Sequence, residues 1–588
     1  MALPRALLLA LLSRGAVAAS ALPLYRDPSA SVDARTADLV ARMTLEELVA
    51  QTLNPVGSSD NPNGGFSVNV SSILSRYNGT GLGTIYTGVG GCARGTTRVA
   101  CQNYLQAAIM NSSRLGIPIS FIGETLVSGT SGATIFPQPV LRGAAFDVAL
   151  EARIGESIAR QARLGGIDRG LSPVLQVDTD ARFGRFEEAY GEDPFLVSTL
   201  GVAVATALQG GAEGPHEYVA TNASVSCEAK HALAYGYGGR DWYETDLSNR
   251  TLFDVYAKPW HRTIRDAGLR GLMVAHQGVN GLPLHGNKFI LTDVLRGWFG
   301  SGPGSNMTGD ALLQASDWGN VEAIPSFGIT DFTHAAALAV WAGLDQTMSP
   351  PPQAFSTLVD SVRAGIVSES YVRRAAGNVL REKFATRLFD GAAIIDEAAM
   401  TAGLDLPADR ALAYEAAAGG ITLLKNDAVA GKGALLPLAF GATRVAALGP
   451  LAGCVTGETY PCLAEQGMGG HYTQYGARIV TLVEALGNTT GVASVTHVAG
   501  ASIDKDDESG IAAAVAAAAA ADVAVIAVGD SIPIGKGSCS EMHDADTIDL
   551  PGSQLALIAG VAALGKPLIV VLFNCRPTTF GAGPFSRL

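Results

Sequence analysis

The sequence lacks a surplus of positive charge and, beyond its first residues, lacks long apolar runs. Its 588 residues include 41 Lys and Arg against 54 Asp and Glu, which gives a net charge of −13. A negative surface opposes binding to polyanions, so we expect no nucleic-acid partner. The alanine-rich run 512–521 is shorter than the roughly 20 apolar residues that a membrane helix needs, so we expect no membrane insertion.

The sequence also has few residues that could bind a metal or a cofactor. Its seven cysteines form no Cys-x-x-Cys pair and its nine histidines are dispersed, which argues against a zinc site. The glycine-rich stretch 88–91 lacks the strand, helix and downstream acid of a dinucleotide site, and no phosphate-loop lysine follows a glycine run. We therefore predict no metal and no cofactor.

The cysteines fall into close pairs and isolated positions. Cys92 and Cys101, like Cys454 and Cys462, are near enough in sequence to close small loops. The remaining three have no obvious mates, and an odd count leaves at least one free thiol or an intermolecular bridge. The unpaired positions are Cys227, Cys539 and Cys575.

The N-terminus predicts secretion. Arg5 precedes the apolar stretch 6–12, and the small residues 16–18 suit a cleavage site, so residues 1–18 are interpreted as a signal peptide. Seven Asn-X-Ser/Thr sequons are consistent with a secreted glycoprotein, destined for the extracellular space, the vacuole or the cell wall. They begin at Asn69, Asn78, Asn111, Asn222, Asn249, Asn306 and Asn488.

Short apolar runs alternate with amphipathic stretches from about residue 80 to 350, the pattern of successive βα units. This number of repeats favours a (β/α)8-like TIM barrel over an open doubly wound sheet. The predicted strands are Leu82–Tyr86, Ile117–Ile122, Leu171–Val177, Val225–Lys230, Gly271–His276, Ala311–Ser316 and Leu338–Trp341. The predicted helices include Asp147–Leu164, Phe195–Gln209, Thr251–Ala267 and Pro352–Ala364.

A second αβ pattern follows a change of composition and predicts a smaller α/β sandwich domain. The predicted domains are a barrel over 19–395, a linker over 396–412 and the sandwich over 413–588, which is expected to be incomplete at its C-terminal end. Its predicted strands are Arg444–Leu448, Val495–Ala499, Val523–Val528 and Pro567–Phe573, with a helix over Ile511–Ala521.

Polar side chains recur at the ends of the predicted barrel strands, where barrel enzymes place their catalytic groups. Any one of them alone is better read as a structural ion pair, but their recurrence favours a shared site. They are Glu124, Asp178, Asp180, Arg182, Arg185, Lys230, His231, His276 and Asp317. Asp317 could instead cap a helix. A cap leaves unexplained the adjacent Trp318, whose indole suits stacking against a sugar ring.

A series of ordered motifs resembles glycoside hydrolase family 3, of the β-xylosidase and β-glucosidase type, over residues 36–578. The motifs include Arg114-Leu-Gly-Ile-Pro118, Ala133-Thr-Ile-Phe-Pro137, Arg182-Phe-Gly-Arg185, Tyr190-Gly-Glu-Asp-Pro194, Lys230-His231, Asn280-Gly-Leu-Pro283, Ser316-Asp-Trp318, Leu423-Leu-Lys-Asn426 and Asp549-Leu-Pro-Gly552. Members of that family usually continue further, so the resemblance implies a chain truncated at its C-terminus.

The resemblance implies a retaining glycosidase with Asp317 as nucleophile and Glu541 as acid/base. Glu541 lies in the loop before Leu550-Pro-Gly552, where the family carries this residue. Asp544 matches a structural aspartate of that motif, and Asp546 has no counterpart. The loop after Lys230-His231 lacks the His-Asp pair that some relatives acting on N-acetylated sugars use.

The resemblance also implies substrate-binding residues. Arg185, Lys230 and His231 correspond to residues that hold ring hydroxyls, and Trp318 to a wall of the pocket. Glu124 corresponds to the residue on the far side of the sugar, and glutamate there favours xylosides over glucosides. His276 stands where the family usually has tyrosine, and we interpret it as a further substrate-binding residue.

The sequence thus predicts a secreted exo-β-glycosidase that releases xylose or glucose from the ends of oligosaccharides or aryl glycosides. Its oligomeric state is left open. Two alternatives are a carbohydrate-binding relative with little or no activity and a truncated gene product unable to hold Glu541 over the barrel.

Overall fold

The computed structural model of the chain describes residues 22–581 with several interruptions. The interruptions are 57–67, 87–88, 91–96, 212–220, 240–243, 301–310, 329–330, 392–393, 429–432, 440, 442, 456–461, 463, 466–469, 471–478 and 531–538. The predicted signal peptide, Cys92 and the sequon at Asn306 lie outside the described residues.

Eight parallel strands form a barrel, and this confirms the predicted TIM-barrel fold. They pair in the order β1-β8-β7-β6-β5-β4-β3-β2, and the Gly83 N–H donates to the Ala50 carbonyl, 2.9 Å away, beside the two end strands. The ring therefore closes between the first strand and the second. The strands are Leu53–Pro55 (β1), Thr84–Tyr86 (β2), Ser120–Gly123 (β3), Arg169–Gly170 (β4), Ser226–Ala232 (β5), Gly271–Val274 (β6), Leu313–Trp318 (β7) and Gln346–Ser349 (β8).

Two predicted strands were wrong. Leu171–Val177 is not a strand: β4 is the preceding pair Arg169–Gly170, and within 171–177 only Val174 forms an isolated bridge, to Lys230. Leu338–Trp341 belongs to a helix over Phe332–Ala342, whose N-terminus is capped because the Asp331 side chain accepts from the His334 N–H. The alanine-rich sequence of that segment suits a helix. The strand that closes the barrel is the next segment, Gln346–Ser349, which is polar in sequence although fully buried, so a search for apolar runs missed it.

Helices cover the outside of the barrel, and side-chain caps fix where several begin. Asp147 accepts from the Leu150 N–H, and Asp193 accepts from the Phe195 N–H next to a proline in the first turn. The helices are Val32–Arg42 (α1), Leu45–Gln51 (α2), Val70–Tyr77 (α3), Arg98–Ser112 (α4), Pro139–Ala144 (α5), Val148–Leu164 (α6), Pro194–Leu208 (α7), Lys258–Asp266 (α8), Phe332–Ala342 (α9), Leu358–Arg363 (α10) and Glu369–Ala385 (α11).

A layer of charged groups lies inside the barrel at the end where the strands begin. Arg169, the first residue of β4, places Nε 2.8 Å from Glu228 Oε2 and Nη1 3.2 Å from Glu382 Oε2. Its Nη2 donates to Gln346 Oε1 at 2.6 Å. Burial raises the pKa of Glu228 to about 7, although Arg169 opposes that shift. These four buried residues join β4, β5, β8 and α11.

The second domain contains a four-stranded parallel sheet with helices beside it, as predicted. The strands are Thr443–Leu448 (β9), Val492–Val498 (β10), Val523–Gly529 (β11) and Leu568–Phe573 (β12), in the order β10-β9-β11-β12. Two helices, Glu397–Gly403 (α12) and Pro407–Gly420 (α13), occupy much of the segment interpreted as a linker. Asp409 of α13 lies 2.6 Å from Arg160 of α6, so this segment packs on the barrel. The remaining helices are Leu482–Gly487 (α14), Ile511–Ala520 (α15) and Gln554–Ala562 (α16).

The disulfides agree in part with the cysteine spacing. Cys454 pairs with Cys462, whereas Cys539 and Cys575, which have no obvious mates in the sequence, pair with each other across 36 residues. Cys101 is also disulfide-bonded, and Cys227 is a free, buried thiol. Within the described part of the chain, no helix combines the length and apolarity needed to cross a membrane.

Candidate active site

Asp317 lies at the carboxyl end of β7, at the mouth of the barrel. The register between β7 and β8 shifts between Ala315 and Trp318, and such irregularities re-aim side chains near active sites. The Trp318 N–H donates to Asp317 Oδ1 at 2.6 Å, and Oδ2 lies 2.8 Å from His276 Nε2. Burial alone would raise the pKa of Asp317, but the charge and hydrogen bond of His276 outweigh it and hold that pKa well below its usual range.

His276 follows β6 and lies between two carboxylates. Its Nε2 is 2.8 Å from Asp317 Oδ2 and 3.6 Å from Glu541 Oε1, and only 1% of its side chain is exposed. Its Nδ1 lies 2.8 Å from Asn320 Oδ1. Burial opposes a charge on this imidazole, yet Asp317 and then Glu541 raise the pKa of His276 to about 10. The ring therefore carries a positive charge at neutral pH.

Glu541 reaches this mouth from the second domain. Its Oε1 lies 3.1 Å from Arg185 Nη1 and 3.6 Å from His276 Nε2, and 31% of its side chain is exposed. Burial opposes ionisation, but Arg185 and then His276 lower the pKa of Glu541 to about 2. The sequence-predicted pair of acids is thus brought together, with His276 between them.

The Glu541 loop is fastened on two sides, to the barrel and to the second domain. The Gly184 N–H donates to Asp544 Oδ1 at 2.9 Å, and a Cβ at Gly184 would stand 2.3 Å from the Ser540 carbonyl oxygen. The loop can approach this closely only because residue 184 has no side chain. On the other side, the disulfide from Cys539 fastens the loop to the segment after β12.

Arg185 and His231 form a hydrogen-bonded pair beneath the carboxylates. Arg185 Nε and Nη2 donate to the two oxygens of Glu188 at 2.9 and 3.0 Å, and Nη2 lies 3.2 Å from His231 Nε2. A guanidinium only donates, so His231 Nε2 accepts and Nδ1 carries the proton toward Gln176 Oε1, 3.1 Å away. Burial, reinforced by Arg185, lowers the pKa of His231 well below its usual range. His231 is therefore neutral.

Lys230 and Glu124 form a buried ion pair beside this network. Lys230 Nζ lies 2.8 Å from Glu124 Oε2. Burial raises the pKa of Glu124, and Lys230 counteracts that shift. The register of β5 against β6 shifts between Ala229 and Ala232, which accounts for two successive residues, Lys230 and His231, both taking part in the site.

The predicted Trp318 side chain is 39% exposed at the mouth, where it could meet a ligand. Sequence reasoning did not propose Tyr86, which ends the predicted strand 82–86 and therefore satisfied the strand-end criterion. Burial raises its pKa well above its usual range, and Glu124, Asp317 and Glu541 add to the shift. Tyr86 is thus within electrostatic range of all three carboxylates.

One further group, Asn320, escaped prediction, and Asp178 was predicted only as one of the strand-end residues, without a role. Asn320 orients His276 from the turn after β7, and Asp178 is a fully buried acid at the end of the segment after β4. Burial, with the nearby Glu188, raises the pKa of Asp178 well above its usual range. Asp178 was noted among the strand-end residues, whereas nothing in the sequence marked Asn320.

Among the described residues, side chains that could bind a metal come together in two places. Two groups of three such side chains lie close together, Cys454, Cys462 and Glu465, and Asp530, Cys539 and Cys575. In both groups the two cysteines are bonded to each other, so their sulfur atoms are not free thiolates.

The chain is similar to known proteins along most of its length. Residues 57–382 match the N-terminal domain of glycosyl hydrolase family 3, and residues 421–583 match its C-terminal domain. A β-xylosidase of Formosa agariphila is 31% identical over 484 residues, which cover 79% of this chain and 63% of that protein. The chain therefore spans less than two thirds of this relative's length.

Two solved structures resemble the whole described fold. A β-glucosidase from Erythrobacter marinus superposes with a TM-score of 0.80 at 29% identity, covering 95% of this chain and 74% of that one. A mutant β-glucosidase from Listeria innocua in complex with laminaribiose gives a TM-score of 0.77 at 26% identity, covering 93% and 70% respectively.

Proposed function

The chain belongs to glycosyl hydrolase family 3, and we propose that it is a retaining exo-β-glycosidase acting on terminal non-reducing β-D-xylose or β-D-glucose. Asp317 is the nucleophile and Glu541 the acid/base. The observation that carries this proposal is the approach of both carboxylates to one nitrogen, His276 Nε2, at 2.8 and 3.6 Å.

The spacing of the two acids is compatible with a retaining reaction. Asp317 Oδ2 and Glu541 Oε1 are at most about 6.4 Å apart, as their distances to His276 Nε2 require, and this bound admits the roughly 5–5.5 Å separation of retaining enzymes, whereas inverting enzymes separate their carboxyl groups by roughly 6.5–9.5 Å. A water molecule between sugar and base requires that wider gap. The shorter one suits direct attack by Asp317 on the anomeric carbon.

The reaction then proceeds in two displacements. Ionised Asp317 attacks C1 while Glu541 protonates the departing oxygen, which leaves a covalent glycosyl-enzyme. Glu541 next accepts a proton from water, which attacks C1 and releases the sugar with Asp317 free again. The low pKa of Asp317 keeps the nucleophile ionised at working pH.

The surrounding residues supply the contacts a sugar ring needs. Arg185 and Lys230 present donors for ring hydroxyls, His231 accepts from Arg185 and so fixes its position, and the half-exposed Trp318 offers an apolar face. Glu124, held 2.8 Å from Lys230, corresponds in the family resemblance to a residue whose longer side chain fills the space of a hydroxymethyl group, which supports xylosides as the preferred substrates.

We further propose that the protein is secreted and N-glycosylated. The sequon asparagines among the described residues are all exposed, namely Asn69, Asn78, Asn111, Asn222, Asn249 and Asn488. Exposure is required for a carbohydrate chain at each site. Expression in a eukaryotic secretory host should yield protein in the medium whose mass falls on enzymatic removal of N-glycans; unchanged mass would contradict this proposal.

The test of activity is a side-by-side assay of aryl β-xyloside, β-glucoside and α-arabinofuranoside with the folded chain. We expect turnover to be fastest with the β-xyloside, and Asp317→Asn to abolish it with the fold intact. Glu541→Ala should lose about 10²–10⁴-fold with poor leaving groups. With an activated leaving group, azide should restore turnover, because it attacks the glycosyl-enzyme without needing a base and forms the β-glycosyl azide. Inactivity on all three substrates would favour a carbohydrate-binding protein instead.

A further inference from the structure

His276 contacts both proposed catalytic carboxylates, yet the two displacements give it no step of its own. The protonation of its ring follows from its neighbours. Nδ1 lies 2.8 Å from Asn320 Oδ1, an atom that only accepts, so Nδ1 carries a proton. Nε2 lies 2.8 Å from the carboxylate oxygen Asp317 Oδ2, so this nitrogen carries a proton as well. His276 is an imidazolium in the resting protein.

This assignment changes the proton inventory of the site. A retaining glycosidase starts with one ionised carboxylate and one further proton available to the leaving group. Arg185 Nη1, 3.1 Å from Glu541 Oε1, favours the ionised form of Glu541. Asp317, Glu541 and His276 therefore share one acidic proton, and in the resting protein it resides on the histidine.

We propose that His276 stores the catalytic proton, passing it from Nε2 to Glu541 when the sugar–oxygen bond breaks and taking it back after hydrolysis. This inference rests on the proposed glycosidase function and deepens it. The 3.6 Å between Nε2 and Glu541 Oε1 is a short path for the transfer, and it closes with a small movement of the partly exposed glutamate.

Each step conserves atoms and charge. In the first displacement Asp317 Oδ forms a bond to C1, the glycosidic C–O bond breaks, and its electron pair goes to the leaving oxygen, which takes the proton from Glu541. Glu541 receives that proton from His276 Nε2, which becomes neutral. In the second displacement Glu541 removes a proton from water and the new hydroxyl bonds to C1. The Asp317–C1 bond then breaks, its electron pair returns to Asp317, and Glu541 returns the proton to His276.

The timing follows from the charge of Asp317. While Asp317 is ionised, its charge holds the proton on the ring 2.8 Å away; once Asp317 is bonded to the sugar, that attraction is gone. The other titratable groups that face His276 are His231, with ring centroids 6.5 Å apart, Tyr235, at 5.7 Å, and His285. His231 and His285 are neutral, because burial lowers the pKa of each. Glu541 is thus the acceptor that the site offers.

The test compares the pH dependence of kcat/KM for the full chain and for His276→Gln. In the wild type the alkaline limb reports loss of the stored proton from His276; in the variant the proton must reside on Glu541 beside Arg185, so we expect the limb to move to lower pH. The loss of kcat/KM caused by His276→Gln should also be about 10²-fold greater for xylobiose than for a dinitrophenyl xyloside, whose leaving group needs no proton. If His276 were purely structural, its replacement would lower kcat/KM equally for both substrates and leave the alkaline limb in place.

His285→Gln is the matched control, since this buried histidine interacts electrostatically with His276. No ion pair joins His285 to Asp317 or Glu541 in the described part of the chain, so the pH profile of this variant should keep both limbs. An inactive wild type would contradict the proposed function itself. An active wild type with an unmoved limb in His276→Gln would overturn only the proton store.

A second measurement needs no variant. In protein labelled with ¹⁵N-histidine, the resting chain should show one imidazolium that persists above the titration range of ordinary histidines. Trapping Asp317 with a 2-fluoroxyloside removes the negative charge that holds the proton on the ring 2.8 Å away, so that signal should become neutral. Absence of the imidazolium before trapping, or its persistence afterwards, would overturn the proposal.

Discussion

Removal of the Cys539–Cys575 disulfide should destabilise the second domain and with it the acid/base function. The bridge spans 36 residues, and the chain-entropy relation assigns about 4 kcal/mol to a loop of that length. For a unit the size of the second domain, a loss of that magnitude lowers the unfolding midpoint by roughly 8–16 °C. In the Cys539→Ser/Cys575→Ser variant we therefore expect the second domain to unfold at a lower temperature than the barrel.

The activity should follow this melting because Glu541 is two residues from Cys539. Calorimetry would give the midpoints, and hydrolysis of xylobiose at rising temperature would show where turnover ends. The matched control is Cys454→Ser/Cys462→Ser, which opens a bridge spanning 8 residues and worth about 2.6 kcal/mol by the same relation. Equal midpoints and equal temperature profiles for the wild type and the Cys539/Cys575 variant would refute the reasoning.

Three further perturbations have expected outcomes. Lys230→Met leaves Glu124 buried without its cation and should cost about 3–5 kcal/mol in urea unfolding, with partial recovery on adding Glu124→Gln; no recovery would argue against the ion pair. The pKa of His276 is raised from 6.5 to about 10, so the protonated ring contributes to the free energy of unfolding. This contribution is fully present below pH 6.5 and is lost as the pH rises through 10. The melting difference between wild type and His276→Gln should therefore shrink over that interval, and a constant difference would contradict this. Gly184→Ala meets the carbonyl oxygen of the acid-bearing loop at 2.3 Å and should lower kcat with little loss of barrel stability, whereas Gly487→Ala, which meets nothing within 4 Å, should change neither.

The barrel and most of its mouth could be predicted because strand ends are marked by a change from apolar to polar residues. Asp317, His276 and the Lys230-His231 pair all lie where that rule placed them. The rule failed at β8, Gln346–Ser349, because a barrel interior that buries polar groups hides its strands from a search for apolar runs. It failed again at Leu338–Trp341, where alanine-rich helix and buried strand look alike.

The acid on the second domain could be found only through the family resemblance. Glu541 lies in a loop far along the chain from Asp317, and no periodicity or spacing connects a loop residue to a barrel mouth. The disulfide from Cys539 to Cys575 was missed for the same reason, since pairing across 36 residues depends on the fold. The bridging position of His276 required coordinates, because proximity to two carboxylates from different domains has no sequence signature.

The charged layer around Arg169 has a consequence for how the barrel assembles. Arg169 of β4 binds Glu228 of β5, Gln346 of β8 and Glu382 of α11. If β5 or β8 slid by one residue, Glu228 or Gln346 would turn away from Arg169. A buried charged group would then lack its partner, at a cost of several kcal/mol. A barrel with misaligned strands is therefore less stable than the native one. The buried charges at one end of the barrel thus fix the strand register, and this register sets the separation of Asp317 and His276 at the other end.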